Sequence, residues 1–180
     1  MFVGLSPVTG YDIWTLSPEG DRRPRPFLET RFNEQYPDLS PDGRWLAYVS
    51  NQTGRVEVYV QPYPGAGLRQ QISVDGGTAP AWSRDGRELF YMTAPSLGGQ
   101  AALTKMMVVP IQLKPTFTAG TPRMLFEGRY GLTANIRGYD VAPDGRFLMV
   151  QQKDRPATRV ADMVIVQNWI EELKQKVRPK

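Results

Sequence analysis

The feature that most constrains this chain is an Asp-Gly-Arg triplet that recurs three times in the same surroundings. The segments are PDLSPDGRWLAYVS (37–50), PAWSRDGRELFYM (80–92) and YDVAPDGRFLMV (139–150). Their aspartates, Asp42, Asp85 and Asp144, are spaced by 43 and 59 residues. A repeat of about 40–45 residues is the period of a four-stranded propeller blade. The longer spacing is the same unit carrying extra loop. The extra length enters at 93–105 and 114–122, both rich in Gly, Pro, Thr and Ala, as surface loops are.

Each repeated position has a physical role. Asp-Gly favours a tight turn, because Asp bonds nearby backbone N–H groups and Gly supplies a positive φ. Asp42, Gly43, Asp85, Gly86, Asp144 and Gly145 are therefore expected to be structural turns. Leu46, Leu89 and Leu148 then share one register, with Tyr48, Tyr91 and Val150 two residues on and on the same face. Trp45 and Phe147 match Glu88, which makes that position half-buried. These short apolar runs, rich in aromatic and β-branched residues, read as strands. A second element follows each of them: YDIWTLSPEG (11–20), VEVYVQPYPGAG (56–67), KMMVVPIQLKP (105–115) and ADMVIVQNW (161–169). Short outer strands are expected at 26–29, 69–73 and 123–127.

The predicted architecture is all-β: a partial β-propeller of about four blades, the first and last incomplete. Residues 1–31 are expected to hold only two outer strands, 32–76 and 77–128 complete blades, and 129–167 three strands. After 167 the period changes. Val166, Trp169, Ile170, Leu173 and Val177 follow helical spacing, and Asn168 with Glu171 forms a plausible capping box. A short C-terminal α-helix over 168–178, docked on the blades 1–167, is expected.

Composition excludes several chemistries. The 180 residues contain no Cys and no His. A disulfide framework, a thiol nucleophile, a Cys/His zinc site, a Ser-His-Asp triad and a histidine general base are all ruled out within this chain. The net charge of +4 is mild, and part of the excess sits in Lys174, Lys176, Arg178 and Lys180. No basic face interleaved with aromatics stands out, so nucleic acid is not an expected partner. No apolar run approaches the ~20 residues of a membrane span, and the first ten residues lack the pattern of a signal peptide.

The unit P-x-W/L-S-P/R-D-G-R-x-L-x-Y, followed by an apolar strand and a Pro/Gly turn, resembles the TolB-type, WD-like β-propeller repeat. The resemblance covers nearly the whole chain, in three copies and a half copy. It implies a propeller fold and little about function. The stretch QNWIEELKQKV (167–177) is similar to the tail of one subgroup, the C-terminal propeller region of bacterial membrane-bound serine/threonine protein kinases. That likeness implies an extracytoplasmic sensor or interaction module. Such propellers often have six or more blades, so this chain is expected to be the C-terminal part of a longer propeller or a shortened relative. No kinase residue carries over: there is no Gly-rich phosphate loop, no His for a catalytic H-R-D, and no D-F-G.

Candidate sites follow from the blade geometry. Loops entering the innermost strands face the central channel. The repeat register aligns Asn33 with Asn135, Gln35 with Arg137, and Asp38 with Asp140. These six residues either line a binding funnel or solvate the channel mouth. The Asp-Gly carboxylates suit hard cations, but they sit one per blade, so no metal site and no cofactor is expected. Ser40 and Ser83 belong to the repeat and lack a His partner; no catalytic residue is assigned. The Ser-Pro steps at Ser6, Ser17 and Ser40 read as turns, with phosphorylation as the alternative. Trp45, Tyr59, Tyr63 and Trp82 read as inter-blade core, with a recognition patch as the alternative.

The expected function is a non-catalytic propeller module for protein interaction or ligand sensing. The alternatives are a gating propeller of a prolyl-oligopeptidase-like serine peptidase and a free-standing periplasmic scaffold. The expected partners are a protein or peptide, the N-terminal blades of a longer chain, or a second copy meeting it through open strand edges. The exposed edge is expected near Asp12 to Leu16.

Overall fold

The computed structural model describes residues 1–65, 67–93, 103–114, 116–130 and 137–151. These residues are all-β and form four antiparallel sheets in chain order. The first contains β1 (Phe2–Ser6), β2 (Gly10–Thr15) and β3 (Arg25–Leu28). The second contains β4 (Glu34–Leu39), β5 (Trp45–Ser50), β6 (Glu57–Pro62) and β7 (Gln70–Gln71). In the third, β8 (Thr78–Trp82), β9 (Glu88–Met92) and β10 (Thr104–Gln112) are followed by β11 (Thr118–Ala119) and β12 (Arg123–Gly128). The last two pair with the two ends of β10. The fourth sheet contains β13 (Tyr139–Val141) and β14 (Phe147–Met149).

Three apolar cores lie between consecutive sheets. Along β5 the side chains alternate between two of them. Leu46 and Tyr48 face the first sheet and pack with Ile13 and Tyr59. Ala47 and Val49 face the third sheet and pack with Trp82, Leu89 and Tyr91. The third core joins Phe90, Met92, Met106 and Val108 to Tyr139 of the fourth sheet. Both faces of the middle sheets are thus covered by a neighbour, which is why their strands carry apolar runs rather than polar alternation. Trp82 and Tyr59 are buried core residues, and Trp45 and Tyr63 pack against the same cores.

The Asp-Gly turns are built as their residues dictate. Gly43, Gly86 and Gly145 have φ of 69°, 71° and 83°, a region that L side chains rarely adopt. In the second sheet the Ser40 hydroxyl donates to Asp42 Oδ1 (2.7 Å) and accepts from the Trp45 N–H (3.0 Å). Ser83 repeats this with Asp85 Oδ1 (2.8 Å) and the Glu88 N–H (2.9 Å). At the third turn Ala142 has no hydroxyl to offer. There the loop closes one residue earlier, Ala142 N–H donating to the Arg146 carbonyl, whereas Ser40 and Ser83 donate to Trp45 and Glu88.

Two expectations are corrected. Residues 1–31 hold three strands rather than two, because β1 pairs with β2 along its length. The connecting turn carries no Asp-Gly. It is held instead by the Ser6 hydroxyl, which accepts from the N–H groups of Val8 and Thr9 at 3.3 Å each. For the same reason Asp12 to Leu16 is no edge: β2 is paired on both sides, and Asp12 is fully buried. Leu148 differs from its repeat partners. Leu46 and Leu89 are fully buried, whereas Leu148 is 76% exposed in the two-stranded fourth sheet. The strand expected over 161–169 and the helix over 168–178 lie outside the described residues.

Leu89→Ala opens a cavity in the core between the second and third sheets. It should cost about 2–5 kcal/mol in urea unfolding, against less than about 0.5 kcal/mol for Leu148→Ala. Ser40→Ala and Ser83→Ala each remove the hydroxyl that closes a turn, and each should cost about 1–2 kcal/mol in the same measurement.

Candidate functional site

The innermost described strands of the second, third and fourth sheets are β4, β8 and β13. They converge with β1 on a cavity of about 730 Å³. Three charged side chains project into it: Asp38 from β4, Asp140 from β13, and Arg137 just before β13. Arg137 holds both carboxylates, with Nη1 3.5 Å from Asp38 Oδ1 and Nη2 3.5 Å from Asp140 Oδ1. It also donates to two backbone carbonyls, Tyr139 (3.2 Å, from Nε) and Pro80 (3.2 Å, from Nη1). Its guanidinium lies 5.7 Å from the centre of the Tyr139 ring. The Tyr139 hydroxyl donates to the Ala79 carbonyl at 2.7 Å.

The carbonyls of Ala79 and Pro80 are available because the inner strands are bulged. The register shifts between Gln35 and Asp38 in β4, and between Thr78 and Ala81 in β8. At the two equivalent positions, Tyr36 and Ala79 have φ of 54° and 52°, and each is followed by proline. A non-glycine residue held there costs on the order of 1–3 kcal/mol. Bulges re-aim side chains and interrupt the ladder. Here one bulge sets up Asp38 and the other frees two carbonyls for Arg137 and Tyr139. Asp38 in turn ties the second sheet to the third: its Oδ2 accepts the Trp82 N–H (2.8 Å), and its carbonyl accepts the Trp82 indole N–H (3.1 Å).

Solved structures share the fold. A protein assigned as TolB in Agrobacterium tumefaciens superposes with a TM-score of 0.65 at 19% identity, over 82% of this chain and 52% of that one. The fold is that of a TolB-like β-propeller. TolB from Acinetobacter baumannii gives a TM-score of 0.50 at 18% identity, over 85% of this chain and 45% of its own. A puromycin-hydrolyzing peptidase from Mycobacterium tuberculosis gives 0.52 at 20% identity, over 71% of this chain and 21% of its own. The chain thus spans about half the length of the two TolB structures and a fifth of the peptidase. No protein-family model and no curated protein matches the sequence.

Of the six channel-mouth residues named from the repeat register, the propeller brings Asp38, Arg137 and Asp140 together. Asn33 and Gln35 lie elsewhere, because Asn33 precedes β4 at the end opposite Asp38. Asn33 latches the first sheet to the second: its Oδ1 accepts the Tyr11 N–H (3.1 Å), and its own N–H donates to Asn51 Oδ1 (2.9 Å). A Cβ on Gly10 would come within 2.4 Å of that Oδ1, so glycine is needed there for close approach. Gln35 is half-buried in β4 opposite Val49. Asn135 lies outside the described residues. Tyr139, Pro80 and Tyr36 were not singled out from the sequence. The recurring X-Pro step, Tyr36-Pro37 and Ala79-Pro80, carries the same 43-residue spacing as the Asp-Gly turns and was the available signal.

The electrostatics of the mouth are uneven. Burial pushes the Asp38 carboxyl above its ordinary value, opposed by the Trp82 N–H and the Arg137 guanidinium and assisted by Asp140. Burial likewise pushes the Tyr139 phenol up, so it remains a neutral donor. Asp140 is 73% exposed at its side chain. The Asp-Gly carboxylates are engaged elsewhere: the Arg87 N–H and the Ser83 hydroxyl hold Asp85 below its usual range. Among the described residues no group of three or more acids is placed to hold a metal ion.

A carboxyl whose pKa is raised by folding binds protons more readily in the native state. Its contribution is therefore present at low pH and is lost as pH rises through the folded pKa. Wild type should accordingly gain stability relative to Asp38→Asn as pH falls from 7 toward 4. Urea melts of the two proteins across that range check the sign.

Proposed function

We propose that this chain is a non-catalytic interaction module that receives a protein or peptide ligand at its channel mouth. The carrying observation is the cavity where three inner strands meet, with Asp38, Arg137 and Asp140 on one wall and apolar β1 residues on the other. This set binds rather than reacts. Arg137 is engaged by two carboxylates and two carbonyls, and the phenol of Tyr139 is spent on the Ala79 carbonyl. The exposed Asp140 carboxylate is the group best placed to meet a cationic ligand.

The finer reading is that the module belongs to a larger TolB-like propeller, such as the sensor region of a bacterial serine/threonine kinase. The likeness of 167–177 to the tail of that subgroup supports it. A gating propeller beside a peptidase catalytic domain is the second reading, favoured by the fold likeness to a peptidase.

Replacing Asp140 by the photo-crosslinking residue p-benzoylphenylalanine tests the proposal in cells. The expected result is a light-dependent adduct with one discrete protein, with none when the probe replaces exposed Leu68 on the outer rim. Equal labelling from both positions would overturn it. So would esterase or peptidase turnover by the purified chain that Asp38→Asn abolishes. An adduct with a hydrolase catalytic domain would select the gating reading.

A further inference from the structure

A buried acid recurs near the start of β2 and β6, but its surroundings differ between the two sheets. By repeat position Asp12 corresponds to Glu57. Glu57 is fully provided for. Its Oε1 accepts from Arg55 Nε (2.9 Å) and from the Gly76 N–H (3.0 Å), and its Oε2 accepts from the Ser73 hydroxyl. In the first sheet the place of Arg55 is taken by Gly10. A side chain there would collide with Asn33 Oδ1, so no cation enters from that position.

A second carboxyl enters instead. Glu34, the first residue of β4, stands where the 43-residue repeat has Gly77. The Tyr11 N–H donates to Asn33 Oδ1 (3.1 Å), which brings the next residues, Asp12 and Glu34, to one junction between the first and second sheets. Asp12 is 0% exposed and Glu34 1%. Each has one oxygen served by hydroxyls. Thr9 donates to Asp12 Oδ2 (2.6 Å), while Thr30 (2.7 Å) and Ser50 (3.2 Å) donate to Glu34 Oε1. The other oxygens, Asp12 Oδ1 and Glu34 Oε2, have no hydrogen-bond partner. Among the described residues no ion pair joins either carboxyl to a cation. Exposed Arg69, before β7, attracts Glu34 through space. Tyr48 on β5 lies beside it, its phenol pushed up to about 12 by burial and so neutral. Glu57 stands across Ser50 from Glu34 and is already held by Arg55.

A buried charge without a partner neutralises rather than persists, and like charges in one site do not both ionise readily. We infer that the Asp12–Glu34 pair takes up a proton when the first sheet docks on the second, which makes this junction a pH-sensitive latch, tighter at mildly acidic pH and looser as pH rises. The proton is a property of the pair. Burial, with Asp12 adding to it and the Thr30 and Ser50 hydroxyls and Arg69 opposing, pushes the Glu34 carboxyl above its ordinary value. Stability from such a group is complete below the unfolded pKa and is lost as pH rises through the folded one.

The test uses the full chain carrying an NMR-active carbon at its glutamate carboxyls. The Glu34 signal, assigned by its loss in Glu34→Gln, should titrate above the value of a free glutamate, about 4.3. Asp12→Asn should move that midpoint down. Glu34→Gln keeps an acceptor for Thr30 and Ser50 without the charge. In urea melts from pH 5 to 8, wild type should lose stability relative to Glu34→Gln, a comparison in which the Asp38 contribution cancels. A Glu34 midpoint at or below the free value, or one that Asp12→Asn leaves in place, overturns the shared proton. So does a difference between wild type and Glu34→Gln that stays flat with pH, a result that needs no Asp12 variant to fold. Calcium chloride that restores stability at pH 8 to wild type but not to Glu34→Gln, against sodium chloride of equal ionic strength, overturns the proton in favour of a metal ion as the counter-charge.

Discussion

A sheet that is apolar on both faces has to be covered on both, and the rest of this structure depends on that requirement. β5 places Leu46 and Tyr48 toward one neighbour and Ala47 and Val49 toward the other, all fully or almost fully buried. No two-layer arrangement satisfies such a strand, but serial stacking of blades does. Each interface then buries side chains from two sheets, and the chain extends by repeating the unit. The end sheets have only one described neighbour, and they carry the exposed apolar residues Leu5 and Leu148.

Stacking alone would leave the inner strands free to slide, and polar contacts between blades fix them. Asp38 takes the Trp82 N–H, Asn33 takes the Tyr11 N–H, and Tyr139 and Arg137 take the carbonyls of Ala79 and Pro80. The last two bonds exist only because β8 is bulged at a residue with positive φ. The strain at Ala79 is offset by the neutral Tyr139 bond and the charge-assisted Arg137 bond, one buried and one partly buried. The same contacts shape the mouth, so the groups that position the blades are also groups that line the cavity.

The turns and strands were legible because their causes are local. Asp and Gly at 42–43, 85–86 and 144–145 make the same turn wherever they occur, and a run such as 45–50 is a strand by its side chains alone. The repeat register aligned Asp38 with Asp140, and the two meet at the mouth because equivalent positions in stacked blades approach one another around the axis; Arg137 joins them although its register partner Gln35 does not line the cavity. β1 was missed because its turn is closed by Ser6 and Gly10 without the repeat's signature. Asn33 was grouped with the mouth because register alone does not reveal that it lies at the far end of β4.

The sequence by itself determined the unit: its period, its turns, its two-faced strands, and the absence of histidine and cysteine chemistry. These follow from residue type and spacing, which act over a few residues. Tertiary structure decided which carbonyls the bulges release, that one guanidinium holds two carboxylates from different blades, and that β1 residues line the same cavity. Those outcomes depend on how strands distant in the chain approach one another, and that distance is set by inter-blade packing rather than by any local preference.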